Sequence, residues 1–375
     1  MNRPGDTPQP FYIESLALRD FRNYREAYVE FAPGINGIYG ANAQGKSNLL
    51  EALFLFATGR SFRAKQLSEL LRHNSERFLL ELSFIKRGYR HELHMHCDGQ
   101  QRRIIHNGKA LRSLQDLLGL CPGVFTGPDD SELIKGPPSV RRYYLDVQLS
   151  QSDPRYLQHL ARYQRALKQR NTLLRQKVSA TLEAWEQQLA VSGAYIASQR
   201  ALAVEDLNRR CVQLHGRLSQ HTGDLALVYK GAVGTAEDLL DSYARQRSRD
   251  MLLGRTSVGP HRDEVEIELE GCPARSFASE GQQRTIVAAL RLGEWQRLKE
   301  RCMECPVIYM DDVANSLDSS RRALLFEALA ESGQVFLSAP EALHIDGEQQ
   351  RMFEVCAGAI AELTAQASSA GSRIQ

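Results

Sequence analysis

The sequence predicts an α/β protein in which a mixed β-sheet with an antiparallel β subdomain is interrupted by a lobe of long helices. Three observations support this architecture. Apolar strand patterns occur near both ends of the chain, residues 78–105 alternate like an antiparallel meander, and residues 153–218 repeat apolar positions every three or four residues, as helices do. The 375 residues suffice for two domains. We therefore expect residues 1–125 and 250–375 to form two halves of one α/β unit, with residues 126–249 as the inserted helical lobe, a short antiparallel arm.

Composition narrows the class of protein. Hydrophobic residues at 42% and charged residues at 25% are ordinary for a globular protein, and the net charge of +2 does not by itself indicate a nucleic-acid partner. The longest apolar run is too short to span a bilayer, and the first ten residues lack an apolar signal segment. Seven irregularly spaced cysteines indicate reduced thiols. We expect a cytoplasmic protein with no membrane partner.

A glycine-rich loop is the strongest motif in the chain. Residues 35–39 predict a strand before it, and residues 47–57 predict a buried helix after it, closed by Gly59. The loop itself consists of Gly40, Ala41, Asn42, Ala43, Gln44, Gly45, Lys46 and Ser47. A glycine-rich turn without a ligand would also match this pattern, but the flanking strand and helix favour a phosphate loop, whose amides and helix N-terminus surround an anion. Lys46 would contact the β- and γ-phosphates and Ser47 would bind Mg²⁺, so the pattern predicts an ATP site.

Two features near the N-terminus permit more than one interpretation. Arg22 and Arg25 occupy a predicted turn between two strands, where they could contact a nucleotide or a DNA phosphate or could simply be surface charges. Within the meander, His91, His94 and His96 lie close together in sequence. Because acidic residues share that strand face, a half-exposed polar surface is favoured over a metal site.

The helical lobe has a basic segment. Asp153-Pro154 is a typical helix start, with an N-capping carboxylate followed by a first-turn proline. Between residues 154 and 182 there is no acidic residue, and the candidate DNA contacts in this stretch are Arg162, Arg165, Lys168 and Arg170. A solvated helix face is the alternative. The pattern leaves open whether one helix continues through residues 176–181 or a new helix begins there, capped by Ser179 or Thr181.

A second group of chemically important residues lies in the C-terminal third. Residues 306–312 read as a buried strand that ends in Asp311 and Asp312. In a phosphate-loop ATPase a carboxylate at this place holds Mg²⁺ directly or through water, so Asp311 is the candidate metal ligand. Asp312 could orient or deprotonate the attacking water, with Lys46 as the second catalytic residue. A polar turn after an apolar strand is the alternative.

Ser279, Gly281 and Gln282 precede a predicted helix over residues 286–297 and offer a second phosphate-binding helix start. The segment resembles the signature motif of ABC-type ATPases, which contacts ATP bound to the other subunit. It departs from the transporter form at Glu280, where a second glycine usually stands. Leu317-Asp318, shortly after the paired carboxylates, resembles the D-loop, with Asp318 at its key position. These resemblances imply an ABC-type phosphate-loop ATPase head.

The segment between Lys46 and Ser279 is too long for a simple transporter ATPase and too short for the coiled coils of chromosome-structural ATPases. The chain closely resembles the RecF family of bacterial DNA-repair ATPases. The matching segments extend along most of the chain: residues 21–24, 40–47, 133–142 with Asp146, 163–171, 259–263, 281–285 and 311–312. Residues 315–318 read Asn-Ser-Leu-Asp instead of the usual Ser-Glu-Leu-Asp, and Ser338 replaces a common Thr.

The resemblance implies a Rad50-like head that binds ATP and Mg²⁺ and dimerises with ATP between two subunits. It further implies binding to single-stranded, gapped or junction DNA, weak DNA-dependent ATP hydrolysis that releases the dimer, and a role in DNA repair, DNA replication and the SOS response. The implied partners are RecR and RecO, in loading the recombinase. An ABC-type nucleotide switch without a DNA role, such as a transporter-coupled ATPase, is the alternative. A switch that does not hydrolyse ATP also stays open, because Asp312 replaces the Glu of fast relatives.

Overall fold

Antiparallel strands form the first sheet of the protein. The computed structural model describes residues 11–219, 224–312, 333–341 and 350–363. The sheet has the strand order β2-β1-β4-β5-β6-β7, and its strands are β1 (Phe11–Phe21), β2 (Tyr24–Glu30), β4 (Phe78–Lys86), β5 (Tyr89–Cys97), β6 (Arg102–His106) and β7 (Lys109–Ala110). Hairpin turns use left-handed backbone at Arg87-Gly88 and Asn107-Gly108. The predicted antiparallel subdomain is therefore present.

A second, mostly parallel sheet has the order β15-β14-β3-β13-β12-β8, in which only β15 is antiparallel to its neighbour. Its strands are β3 (Ile35–Tyr39), β8 (Gly123–Thr126), β12 (Val307–Asp311), β13 (Val335–Ala339), β14 (Gln350–Cys356) and β15 (Ala359–Glu362). Helix α1 (Lys46–Thr58) follows β3 and ends at Gly59, which is left-handed with φ 67°. Because α1 is apolar nearly all round, it is buried in a core shared with both sheets.

The helices of the lobe pack with a small three-stranded sheet of order β11-β10-β9. The helices are α2 (Glu132–Lys135), α3 (Pro138–Ser152), α4 (Pro154–Gln176), α5 (Leu182–Ser219), α6 (Ala236–Leu253), α7 (Ala274–Phe277) and α8 (Glu280–Cys302). The strands are β9 (Leu225–Lys230), β10 (Glu264–Leu269) and β11 (Cys272–Pro273). Helices α3 and α6 and strand β9 were not predicted. Pro138 at the start of α3 and the Thr235–Asp238 capping box of α6 are the local signals that indicate these helices.

Helices α4 and α5 form an antiparallel pair. The Tyr195 hydroxyl donates to Asp153 at 2.7 Å, whereas Arg170, further along α4, pairs with Glu186, which precedes Tyr195 on α5. Helix α4 ends before Lys177, which has a left-handed φ of 57°, and α5 begins at Leu182. The structure thus places a break where the sequence permitted either a break or a continuous helix. Asp153 caps α4 and accepts from the Arg155 amide, as predicted.

The chain forms two compact units. The first contains the described residues up to Pro128 and those from Leu298 onward, and the second extends from Asp129 to Arg297. The second unit thus continues well beyond the predicted lobe boundary at residue 249. The physical reason is that β10 pairs along its whole length with β9, and the Tyr144 hydroxyl of α3 donates to the Leu290 carbonyl of α8 at 2.9 Å. Among the described residues, no helix combines the length and the apolar character needed to cross a membrane.

Candidate nucleotide-binding site

The glycine-rich loop connects the carboxyl end of β3 to the N-terminus of α1, as predicted. Gly40 and Gly45 have φ values of 142° and 123°, which side-chain-bearing residues rarely adopt. A Cβ atom at Gly40 would lie 2.3 Å from the Val355 carbonyl oxygen, and one at Gly45 would lie 2.7 Å from the side-chain Nδ2 atom of Asn23. Glycine is thus required twice in the loop, for backbone conformation and for space. Residues Ala41, Asn42 and Ala43 are exposed on the outer side of the loop.

Lys46, the first residue of α1, has its ammonium group over the loop. The Lys46 Nζ atom donates to the carbonyl oxygens of Gly40 at 2.8 Å and Ala41 at 3.2 Å. The residue is buried, at 4% exposure. These neutral carbonyl oxygens hold the Lys46 ammonium group at the mouth of the loop. A phosphate oxygen bound there could replace them as the acceptor of its hydrogen bonds. The contact of Lys46 with the β- and γ-phosphates stays a prediction.

Asp311 ends β12 and meets the phosphate-loop serine. Ser47 Oγ donates to Asp311 Oδ1 at 2.8 Å, and Ser338 Oγ at the end of β13 donates to the same oxygen at 2.7 Å. The contact arises because β3, β13 and β12 are parallel neighbours, so their carboxyl ends lie at one edge of the sheet. Ser47 and Asp311 are thus adjacent although 264 positions separate them in the chain.

Asp312 extends from the same edge with left-handed backbone, at φ 54°. Its amide donates to Ser338 Oγ at 3.0 Å, and its Oδ1 atom is buried without a hydrogen-bond partner in the part of the chain that is described. Burial raises the pKa of the Asp312 carboxyl, and the nearby Asp311 charge raises it further, while the Lys46 ammonium opposes both effects. A carboxylate with an unused acceptor and a raised pKa is suited to accept a proton.

These residues fit a Mg²⁺ ion that also binds phosphate. A serine hydroxyl and two carboxylates are hard oxygen donors, and the orphaned Asp312 Oδ1 atom indicates that the site has acceptor capacity to spare. In the described ranges, no group of three or more His, Cys, Asp or Glu side chains could hold a metal ion by itself. Sites of one or two protein carboxylates completed by water and substrate phosphates are typical of Mg²⁺.

Arg22 has a structural role instead of facing the loop. Its guanidinium donates twice to the fully buried Glu51 of α1, at 2.8 Å each, and to the Glu69 carbonyl at 2.6 Å. Arg22 therefore anchors the β1–β2 turn to the helix, which was neither of the two interpretations considered for it. Arg25, the second residue of β2, is exposed.

The second predicted phosphate-binding segment lies in the second unit, at the start of α8. The Ser279 amide donates to Gln282 Oε1 at 2.8 Å, and the Gln282 amide donates back to Ser279 Oγ at 3.3 Å. This reciprocal capping leaves both side chains exposed at the helix N-terminus, with Gly281 partly exposed beside them. Asp318, the candidate D-loop residue, lies outside the described residues.

The basic segment of α4 divides into exposed and buried residues. Arg162, Arg165 and Lys168 are exposed. Arg170 is fully buried and pairs with Glu186 at 2.9 Å and Asp250 at 2.7 Å. Contrary to the prediction, the Arg170 guanidinium is therefore not available to a DNA phosphate, because helical periodicity turns it toward α5 and α6.

The family motifs of the lobe converge on this buried region. The Tyr163 hydroxyl lies 2.7 Å from His261 Nδ1, and Asn171 Oδ1 accepts from the amide of Thr256 at 2.8 Å. His261 Nε2 lies 3.1 Å from the Thr256 carbonyl, so the ring donates from Nε2 and accepts at Nδ1. Burial lowers the pKa of His261 to about 4. These motif residues fasten the segment before β10 to α4.

Sequence reasoning did not identify Asn23, Ala357 and Gly358 as neighbours of the phosphate loop. Asn23 Nδ2 donates to the Gln44 carbonyl at 2.7 Å, and the Ala357 amide donates to Gln44 Oε1 at 2.7 Å. For Asn23 a weak signal existed, since it lies within the motif at residues 21–24. The Ala357-Gly358 pair has no local signal beyond that of an ordinary hairpin turn.

Comparison with known proteins agrees with this geometry. The sequence profile of the RecF/RecN/SMC N terminal domain matches residues 12–357. A "DNA replication and repair protein RecF" from Protochlamydia amoebophila (strain UWE25) is 41% identical over 349 residues, which are 90% of this chain and 97% of the relative. The protein of the same name from Symbiobacterium thermophilum is 38% identical over 93% of this chain and 98% of its own length.

Solved structures show the same similarity. The chain aligns with the "recombination mediator protein RecF-ATPrS in RecFOR pathway" at a TM-score of 0.88 and 31% identity, over 96% of this chain and 100% of that chain. An Smc head domain from Pyrococcus furiosus aligns at a TM-score of 0.56 with 18% identity, over 94% of this chain and 96% of that chain, which supports the fold alone.

The fold and the loop–carboxylate site define an ATPase head of the ABC type, as found in SMC proteins. Within that class, two findings identify the family: the profile matches residues 12–357, and a RecF protein is 41% identical over 97% of its own length. The chain belongs to the RecF family.

Proposed function

We propose that this chain is an ATP-dependent DNA-binding protein of recombinational DNA repair and replication restart, acting in the cytoplasm. The observation that carries the proposal is the convergence of Lys46, Ser47, Asp311 and Asp312 at one sheet edge, in a chain whose relatives are named for DNA replication and repair. A transporter-coupled ATPase is not favoured, because the full-length relatives are RecF proteins.

The proposed nucleotide chemistry follows from the loop geometry. The amides of residues 40–47 and the α1 N-terminus bind the α- and β-phosphates, and the Lys46 ammonium turns from the loop carbonyls to the β- and γ-phosphates. Mg²⁺, held by Ser47 and Asp311, would supply charge neutralisation at the β- and γ-phosphates. Asp312 orients the attacking water and takes its proton. An aspartate in this place is consistent with slow hydrolysis.

The proposed active form is a homodimer with ATP between the subunits. ATP on residues 40–47 of one subunit would contact Ser279, Gly281 and Gln282 of the other. The exposure of Ser279 and Gln282 at a helix N-terminus supports this role, since their hydroxyl, amide and helix dipole can reach a γ-phosphate. ATP then favours the dimer because it binds the dimer with more contacts than the monomer. Weak, DNA-dependent hydrolysis would release the dimer.

The proposed DNA contacts are Arg162, Arg165 and Lys168 on α4. Lysine and arginine contacts to phosphates bind DNA without sequence preference and with strong salt dependence. We propose single-stranded, gapped or junction DNA as the substrate, and RecR and RecO as partners in loading the recombinase and supporting the SOS response. These partners are supported by the aligned recombination mediator protein RecF, which is a protein of the RecFOR pathway.

Sedimentation of the purified protein tests the proposal. We expect a shift from monomer to dimer with ATP and Mg²⁺, enhanced by gapped duplex DNA and absent in Lys46→Ala. A monomer under every condition would overturn the contact of Ser279 and Gln282 with ATP across subunits. ATP-dependent dimers that ignore DNA would favour the nucleotide switch without a DNA role. An Asp312→Asn variant that dimerises with ATP but no longer dissociates is expected if this carboxylate drives hydrolysis.

A further inference from the structure

The C-terminal hairpin β14–β15 lies directly against the phosphate loop. β14 pairs in parallel with β3, the strand that leads into the loop, and the Val355 carbonyl fills the space beside the Cα atom of Gly40. The hairpin turn is formed by Ala357 and Gly358, both left-handed, at φ 48° and 79°. The turn therefore reaches beyond the strand pairing to the loop itself.

Two amides of this turn donate to one residue of the loop. The Ala357 N–H donates to the Gln44 side-chain Oε1 at 2.7 Å, and the Gly358 N–H donates to the Gln44 carbonyl oxygen at 3.1 Å. Asn23, which lies beside Gly358, donates from Nδ2 to the same Gln44 carbonyl at 2.7 Å. The neighbouring Gly45 carbonyl accepts from the Tyr24 hydroxyl at 2.9 Å. The loop is thus held by two turns that lie beside each other in space but are far apart in sequence.

These hydrogen bonds determine which way the loop amides point. In a trans peptide the N–H and C=O groups point in opposite directions. Holding the Gln44 carbonyl toward Asn23 and Gly358 therefore turns the Gly45 N–H away from them, toward the inner side of the loop. The Gly45 carbonyl accepts from the Asn48 and Leu49 amides of α1 at 3.0 Å each as well as from Tyr24, and these bonds together turn the Lys46 N–H in the same way. Inward amides of this kind are the donors that a phosphate requires.

We infer that the Ala357-Gly358 turn and Asn23 are positioning residues for phosphate binding, so that nucleotide affinity depends on the C-terminal hairpin. The inference rests on the nucleotide-binding part of the proposed function. A merely structural hairpin would need only its pairing with β3. The hydrogen bonds from the turn are accepted by loop atoms that lie outside that pairing. Asn23 packs against the turn, since its carbonyl oxygen would lie only 2.6 Å from a Cβ atom on Gly358.

A matched pair of glycine substitutions in the full-length protein separates the two roles. Gly358 and Gly108 both have φ 79° in two-residue hairpin turns, but a Cβ at Gly108 meets nothing within 4 Å. Gly358→Ala and Gly108→Ala therefore share the backbone strain, and only Gly358→Ala displaces the turn from Asn23 and Gln44. We expect Gly358→Ala to weaken ADP binding, measured by titration calorimetry, about tenfold, the equivalent of one lost hydrogen bond. Gly108→Ala should bind ADP as the unaltered protein does.

A second variant keeps the test decisive if Gly358→Ala does not fold. Gln44→Met preserves the length of the side chain and replaces its amide by a thioether, so the acceptor for the Ala357 N–H is lost. ADP affinity should therefore fall several-fold with an unchanged melting temperature. ADP affinity equal to that of the unaltered protein in Gln44→Met, or equal affinities of Gly358→Ala and Gly108→Ala, overturns the positioning role. If the unaltered protein itself binds neither ADP nor ATP, the proposed function fails instead, so the two failures are distinguishable.

Discussion

Replacing Arg170 by alanine is expected to destabilise the second unit without weakening DNA binding. The Arg170 guanidinium is fully buried and donates to Glu186, Asp250 and Thr256 at distances between 2.7 and 3.1 Å. Removing one partner of a buried ion pair costs about 3–5 kcal/mol, because the remaining charge is left uncompensated. Glu186 would keep its ion pair with Arg247. We therefore expect the lower end, a loss of about 3 kcal/mol in the free energy of unfolding.

The assay compares Arg170→Ala with Arg165→Ala, an exposed residue of the same helix. Urea denaturation should show the loss of stability in Arg170→Ala, whereas Arg165→Ala should stay within about 0.5 kcal/mol of the unaltered protein. DNA affinity, measured below the urea transition, should fall in Arg165→Ala and stay unchanged in Arg170→Ala. An Arg170→Ala variant with an unchanged urea midpoint and weakened DNA binding would refute the reasoning, since it would make Arg170 a surface contact.

Three further predictions concern the nucleotide, the basic face and pH. Lys46→Ala should abolish ATP binding, and unchanged affinity in calorimetry would refute the phosphate-loop assignment. Charge reversal on the exposed face of α4 should weaken DNA binding at low salt, and an unaltered dependence of affinity on salt would mean that the face is only solvated. The residues to reverse are Arg162, Arg165 and Lys168. The pKa of His261, lowered to about 4, predicts that stability falls as the pH drops from 6.5 toward 4, because only the unfolded chain gains a proton in that window. The full loss is about 3 kcal/mol, and His261→Gln should flatten this part of the curve of urea midpoint against pH; an unchanged slope would contradict the assignment.

The nucleotide site was the most predictable part of the molecule. A strand, a loop with two glycines and an apolar helix are contiguous in sequence, and each forms for local reasons, so residues 35–58 could be read directly. Asp311 was predictable as the end of a buried strand. Its contact with Ser47 follows from the parallel order of β3, β13 and β12, which the sequence does not state.

Arg170 illustrates where periodicity is insufficient. The apolar series of α4 continues through Tyr163 and Leu167, and Asn171 is the polar exception in that series. Asn171 is accounted for by its hydrogen bonds with Thr256, 85 positions away. Arg170 lies beside this stripe and is buried because Glu186 and Asp250, 16 and 80 positions away, neutralise it. No local pattern shows whether such partners exist.

The sequence by itself determined the elements and the chemistry that depend on neighbours in the chain: the phosphate loop, its strand and helix, the capped start of α4, the antiparallel meander and the family. Tertiary structure decided what depends on distant partners. It assigned Arg170 to the interior, extended the second unit to Arg297 through the pairing of β9 with β10, and placed the Ala357-Gly358 turn on Gln44. The physical reason is that helix and turn propensities act over a few residues, whereas burial of a charge or a backbone amide is tolerated only when a partner from elsewhere in the chain satisfies it.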